Sequence, residues 1–420
     1  MSFQQGLSGL NAAAKNLDVI GNNIANVNTV GFKTATAQFA DVYANSLTGG
    51  GGLNIGIGTK VAAVEQQFTQ GNLTTTNNPL DLAINGAGFF ILNDSGSNVY
   101  SRNGQFIMDK NGYLVNSSGL KLRGFNADNN GNILQGVLSD LQIGADRYTI
   151  SPQVTSQLQG VVNLDSRQQV PSITPFNYND PTSYNSSTSS TVYDSLGNAA
   201  TYSMYFVKTA NNTWNTYATL TQAGTGNTVD LSAGGTVSLG TLTFNTSGTL
   251  TSAMPLTQTI TAAQLGTGAA NLTFTADFTG TTQYGSDFAV SGMTQDGYTS
   301  GNLTGFNIGS DGIILARYSN GKSQDVGQVA LSNFRNPNGL QPLGNNVWAE
   351  TSDSGLPIPQ NGGVPGTTNL GVIQSAAVED SNIDLTNELV NMITAQRNYQ
   401  ANSQTIKTQD QVMQTIVNLR

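Results

Sequence analysis

The two ends of this 420-residue chain carry the same seven-residue rhythm, and that rhythm limits the folds open to everything between them. Phe3, Leu10, Leu17 and Ile24 recur at every seventh position, with Leu7, Ala14 and Gly21 offset by four. That 3–4 spacing is the seam of a coiled coil. It predicts a helix over residues 3 to 26, about 36 Å long at ~1.5 Å per residue. Near the C-terminus, Leu385, Met392, Tyr399, Ile406 and Met413 hold one heptad position, and Leu389, Gln396, Ser403, Asp410 and Val417 hold its companion. The first row is apolar throughout, the second only at its ends. Ser381, followed three residues later by Asp384, predicts a capping box ahead of this helix. Periodicity alone leaves open whether these faces pack on the chain's own globular part or elsewhere.

The first helix is only half committed to being one. Residues 16 to 33, NLDVIGNNIANVNTVGFK, hold five asparagines and two glycines, which an isolated helix disfavours. Asn22, Asn23, Asn26 and Asn28 can cap, turn or bridge to other chains. Such a segment must draw stability from neighbours, because nucleation is costly without tertiary support.

Between the ends the period changes from helical to β. LDLAI-NGAG-FFIL and VYSR-NG-QFIM-DKNG-YLV, from Leu80 onward, set short apolar runs against Asn-Gly turns, a strong hairpin signal. The style returns after residue 300, where Phe306 with Gly312-Ile-Ile-Leu repeats the spacing of Phe106 with Gly112-Tyr-Leu-Val. Residues 148–290 are richer in Thr and Ser, with strand-like runs TYSMYFVKT and TWNTYATLTQ. The fold class expected is therefore multidomain and mainly β, with discontinuous β domains nested inside a terminal helical coiled coil. The expected divisions are 1–33 with 376–420 (helical), 34–79 and 350–375 (connectors), 80–147 with 291–349 (inner β domain) and 148–290 (inserted outer β domain). TGGGGLNIGIGTK reads as the flexible tip of the first connector, and nesting returns both helices to one end of the molecule.

Composition removes most chemistry. The chain has neither cysteine nor histidine, which excludes a Cys nucleophile, a Ser-His-Asp triad, disulfides and every His- or Cys-ligated metal site. Net charge is −9 with 10% charged residues and scattered cations, so neither nucleic acid nor an anionic membrane is an expected partner. No run approaches the roughly 18 apolar residues of a membrane span. The start MSFQQGLSGLNAAAK lacks the basic and continuous apolar regions of a cleaved signal. ARYSNGKS at 316–323 imitates a phosphate loop, but Gly321 lies between β-alternating runs and reads as a hairpin turn. Asp109 in DKNG and Asp311 in SDG are turn residues, and no acidic motif marks a paired-carboxylate site. Neither an enzyme nor a cofactor is expected.

ANVNTVGFK, from Ala25 to Lys33, resembles the N-terminal signature A-N-x-x-T-x-G-F/Y-K of the bacterial flagellar rod and hook family. Ala25, Asn26, Thr29, Gly31, Phe32 and Lys33 fill every fixed position. SRNGQFIMDKNGYLVN resembles the family's first β domain, and ELVNMITAQRNYQANSQTIKTQDQVMQTIVNLR its C-terminal helix. The central insertion is similar mainly around TPFN and TVYDSLGNA. With this length and insertion the chain is most similar to the hook-forming branch. The distal rod branch is the nearest alternative, and a secreted β-rich adhesin would leave both heptad ends unexplained.

The resemblance implies a subunit whose terminal coiled coil lines an inner tube, with the inserted domain facing the surface. It also implies self-assembly, export through the flagellar type III apparatus without a cleaved signal, and an extracellular place in the hook. The distal rod protein, the hook cap and the first hook–filament junction protein are the further partners it implies. On this reading Phe3, Leu7, Leu10, Leu17, Ile24, Leu385, Leu389, Met392, Tyr399, Ile406 and Met413 are the self-interaction residues. The ends are expected to stay largely disordered in the monomer and to fold on assembly. Burial at about 1.5–3 kcal/mol per large apolar side chain would then offset the ordering entropy. Neutral Thr/Ser/Asn surfaces suit a joint whose contacts lengthen and shorten, since strong ion pairs hold one geometry.

Overall fold

The computed structural model describes residues 2–42, 56–128, 130–143, 148–224, 226–367 and 369–418. Most of the glycine-rich tip expected near residues 48–60 lies outside them. The chain divides into two compact units. One comprises Met1–Arg147, Gly305–Arg317 and Ser323–Arg420; the other comprises Tyr148–Thr304 with Tyr318–Lys322.

In the first unit, an N-terminal helix, Ser2–Ala25, and a C-terminal helix, Leu385–Asn418, pack together. They belong to the same compact unit as the inner β strands rather than to a separate helical domain. Asp384 alone caps the second helix, accepting from the backbone N–H of Thr386 and Asn387. Its position immediately before Leu385 lets one carboxylate serve both amides, so the expected capping box with Ser381 is not the capping device.

Residues 34–79, expected as a connector, instead carry two long antiparallel strands, Ala35–Val42 and Gly58–Gln66, with a bulge between Gln38 and Phe39. The N-terminal helix supplies the surface on which this ribbon rests. Gln5 donates to the Gly56 carbonyl and Ser8 accepts from the Thr59 N–H. Short pairings then join the incoming and outgoing chain: Leu73–Thr75 with Ala377–Glu379, and Leu82–Asn85 with Val372–Ser375.

The main sheet of this unit is antiparallel in the order Ser323–Val329, Lys121–Asn126, Phe89–Asp94, Ser97–Ser101, Val347–Ala349, Gln341–Gly344. Its central run Phe89–Leu92 is buried on both faces. Phe89 meets Phe68, Phe334 and Trp348 edge-on, while Phe90 meets Phe106 at 5.4 Å. Apolar layers on both sides explain the unbroken run. The two echoing turns are geometric copies: Asp109 N–H donates to Tyr113 and Gly112 to Asp109, as Gly309 does to Ile313 and Gly312 to Gly309.

The second unit is a β sandwich. Gln157–Asp165 pairs antiparallel with Ala289–Gln295 and parallel with Leu272–Asp277 and Thr282–Tyr284. The facing sheet is a meander of Ser186–Tyr193, Ala199–Ala210 and Thr213–Gln222. Alternating side chains from both sheets, Val162 and Phe274 against Tyr202, Phe206 and Leu220, enclose the fully buried Trp214. Because Ala289–Gln295 pairs with Gln157–Asp165, the inserted unit runs past the expected end at 290 to Thr304. Gly321 lies in a tight turn closed by its N–H to the Tyr318 carbonyl, with no helix behind it for an anion.

Candidate self-assembly surface

The terminal helices meet through their smallest and most polar faces. Gly6 lies against Ile406, and Gly9 against Asn402, where a Cβ would come within 2.7 Å of Asn402 Oδ1. Farther along, Ile20 and Asn23 line one groove with Glu388 and Ala395, so the helices run antiparallel. On the N-terminal helix, the contact rows are Gly6-Ala13-Ile20 and Gly9-Asn16-Asn23, each one residue ahead of the predicted rows. One residue is about 100° of helix rotation, so the predicted apolar stripe is turned out of the intrachain contact.

Of the predicted residues, Ile406 enters the contact against Gly6, and most of the others are left wholly or partly outside it. Phe3 is 51% exposed and Leu7 44%; Leu10, Leu17 and Ile24 are half-buried. On the C-terminal helix, Leu385, Leu389, Tyr399 and Met413 are exposed, and Met392 and Ile406 are half-buried. The companion row facing the N-terminal helix is Glu388, Ala395 and Asn402 rather than Leu389, Gln396 and Ser403. Val390, Ile393 and Val412 add exposed apolar surface that periodicity had not singled out, and Val417 of the companion row is exposed as well. Single exposed apolar residues are ordinary; here they recur along two long helices.

The nine-residue motif holds this helical pair on the β unit. Ala25 ends the helix, and Asn26 donates to the Asn22 carbonyl while accepting from the Thr29 hydroxyl. Gly31 adopts φ +72°, and a Cβ there would lie 2.7 Å from the Asn103 backbone nitrogen, so both conformation and space require glycine. Its N–H donates to the Glu379 carbonyl, and Phe32, half-buried, closes a turn onto Thr29. Lys33 then enters a sealed charge cluster. Its Nζ stands 2.5 Å from Glu379 Oε1 and also donates to the Thr69 carbonyl. Arg102 Nη1 reaches Glu379 Oε2 at 3.3 Å, and the Gly71 N–H donates to Oε1. Burial pushes the pKa values of Lys33 and Arg102 down, and the Glu379 carboxylate pulls both back up.

Three residues of this clasp were missed by sequence reasoning. Glu379 and Arg102 have no motif of their own. Asn382 donates to the Gln67 carbonyl and the Thr69 hydroxyl and accepts from the N–H and hydroxyl of Thr34. Of the asparagines, Asn23 is 1% exposed and clamps Ala35 through both its N–H and its C=O, whereas Asn22 and Asn28 are exposed.

Set against known proteins, each part of this arrangement has a counterpart. Residues 3–33 match the family described as "Flagella basal body rod protein" and 374–419 "Flagellar basal body rod FlgEFG protein C-terminal". Residues 83–163 match "Flagellar hook protein FlgE/F/G D1 domain" and 163–298 "Flagellar basal body protein FlaE D2 domain". Over its full length the chain is 43% identical to the flagellar hook protein FlgE of Escherichia coli K12 and 45% to that of Salmonella typhimurium LT2, covering 100% of each.

The chain belongs to the flagellar hook protein family.

A more distant member of the hook protein family, from Borreliella burgdorferi, is 33% identical over all of this chain and 99% of its own. The crystal structure of Helicobacter pylori flagellar hook protein FlgE2 shares the fold, with a TM-score of 0.54 at 16% identity over 73% of this chain and all of that one. Among the described residues no helix is long and apolar enough to cross a membrane, and no group of three acidic side chains could hold a metal ion.

Proposed function

We propose that this chain is the structural subunit of the bacterial flagellar hook, polymerising into a curved, flexible helical tube that couples rod to filament and transmits torque. The observation that carries the reading is the exposed apolar side chains of the terminal helices: Phe3 and Leu7 on one, Leu385, Leu389, Tyr399 and Met413 on the other. Two helices that meet largely through glycine, alanine and asparagine, with Ile20 and Ile406 beside them, leave these larger side chains for neighbours. A contact between unlike faces that does not close on itself builds a filament.

On this proposal the work is mechanical, without catalysis or cofactor. The chain leaves the cell through the flagellar type III apparatus with its N-terminus intact. It meets the distal rod protein below, the hook cap during growth and the first hook–filament junction protein above. Sparse charge favours bending: within the inserted unit, the ion pairs among described residues are those of Arg167 with Asp165 and Asp287. The pair with Asp287 is exposed on both sides and contributes little.

Electron microscopy of basal structures from cells lacking the gene tests the assignment. Complete rods with no curved segment beyond the outer ring are expected. Truncated rods would move the protein down the axis, and intact hooks would overturn the reading.

A further inference from the structure

A groove of about 310 Å³ runs between the N-terminal helix, the strand Ala35–Val42 and the C-terminal helix. Val19, Ile20, Phe39 and Ala395 give it apolar walls, and Asn16 and Asn398 give it polar ones. Glu388 stands in its lining with Oε2 buried and without a hydrogen-bond partner. An unpaired carboxylate oxygen withdrawn from water is costly, and the cost falls away when a cation arrives.

The same helix carries a suitable cation on its far side. Arg397 is exposed and has no carboxylate partner among the described residues. It lies nine residues beyond Glu388, about two and a half turns, and so points to the opposite face. Val390, 57% exposed, and Ile393, 51%, share that face. Of the other cations on the two helices, Lys15 is held by Asp18, and Lys407 falls about a quarter turn away from the face opposite Glu388.

We propose that the ridge Val390-Ile393-Arg397 of a second copy docks in this groove, with its guanidinium bonded to Glu388. The inference rests on the self-assembly reading above and names the contact. Groove and ridge occupy opposite faces of one helix, so each docked copy presents a fresh ridge or groove to the next. The contact propagates without closing.

Reversed charges in the full-length chain test it. Glu388→Arg and Arg397→Glu, each alone, are expected to raise the critical concentration for sedimentable polymer about tenfold, with helicity of the soluble chain unchanged. An equimolar mixture of the two variants is expected to assemble near the wild-type concentration. Each reversed groove then meets a reversed ridge, and each native groove a native ridge. The double variant on one chain is expected to assemble as well. Two impaired variants with no recovery on mixing would place both residues in within-chain roles and overturn the proposal. Wild-type assembly by either single variant would overturn it too. Phe3→Ser/Leu7→Ser, assayed alongside, separates the readings: loss of polymer there alone sinks the groove contact and leaves self-assembly standing.

Discussion

Glu379 ties together three remote segments of the first unit, around Lys33, Gly71 and Arg102. Its side chain is fully buried between Lys33 and Arg102, and its backbone carbonyl accepts from Gly31. Removing one partner from such a cluster is far worse than removing all of them, since a buried charge is left without a counterion. Glu379→Gln is expected to destabilise the first unit by about 3–5 kcal/mol. Replacing all three charges, as Lys33→Met/Arg102→Met/Glu379→Leu, should cost much less, because the apolar set strands nothing. Urea denaturation of both variants checks the ordering. The motif made Lys33 visible in the sequence but not its role, because its carboxylate lies 346 residues away in a stretch with no signature. Asn23 was legible as a capping type, yet the strand it clamps was read as connector. Polar clamps between remote segments leave no periodic trace, which is why these partners escaped.

At the scale of elements, the heptad rows were plain in the sequence and their partner was not. Period says that a helix has an apolar face; it does not say whose surface that face meets. Within one chain the helices touch along rows displaced by one residue, where Gly9 lets the backbones approach and Ala395 is 2% exposed. Ile20 and Ile406 share this contact, whereas Phe3, Leu7, Leu385, Leu389, Tyr399 and Met413 stand outside it. Phe3→Ser/Leu7→Ser is therefore expected to leave the thermal midpoint of the monomer unchanged. It should raise the critical concentration for polymer about a hundredfold, at roughly 1.5 kcal/mol per lost apolar side chain. Analytical sedimentation beside circular dichroism separates the two effects. Thr213–Gln222 and the paired Gly112 and Gly312 turns were read correctly because Asn-Gly and Asp-Gly turn chemistry and alternation are local. The strands Ala35–Val42 and Gly58–Gln66 were missed because their small residues give a weak alternation.

For the whole molecule, the two units have separate cores, and the two tryptophans are divided between them. Trp214 is sealed in the inserted sandwich and donates to Gln283; Trp348 lies in the aromatic core of the first unit and donates to Gln66. Trp348→Phe and Trp214→Phe variants should thus report two distinct unfolding transitions by fluorescence, and coincident curves would show one cooperative block. Acid should act on the sandwich through Asp194. Burial would raise its pKa, but hydrogen bonds from Asn198, Thr267 and the Leu196 N–H outweigh it and hold the carboxyl below its usual value. A depressed folded value means the stabilisation is present above the unfolded pKa of about 3.9 and is lost as pH falls through the folded one. Between about pH 6 and pH 2 the Trp214 transition of Asp194→Asn should slope less steeply than that of the native side chain. The charge clasp has a further consequence, in time rather than in space. A chain that appears N-terminus first brings Lys33 and Arg102 into view hundreds of residues before Glu379. Every copy must arrive almost whole before this clasp can close, and a subunit cut short anywhere in between lacks the one carboxylate that pairs both cations.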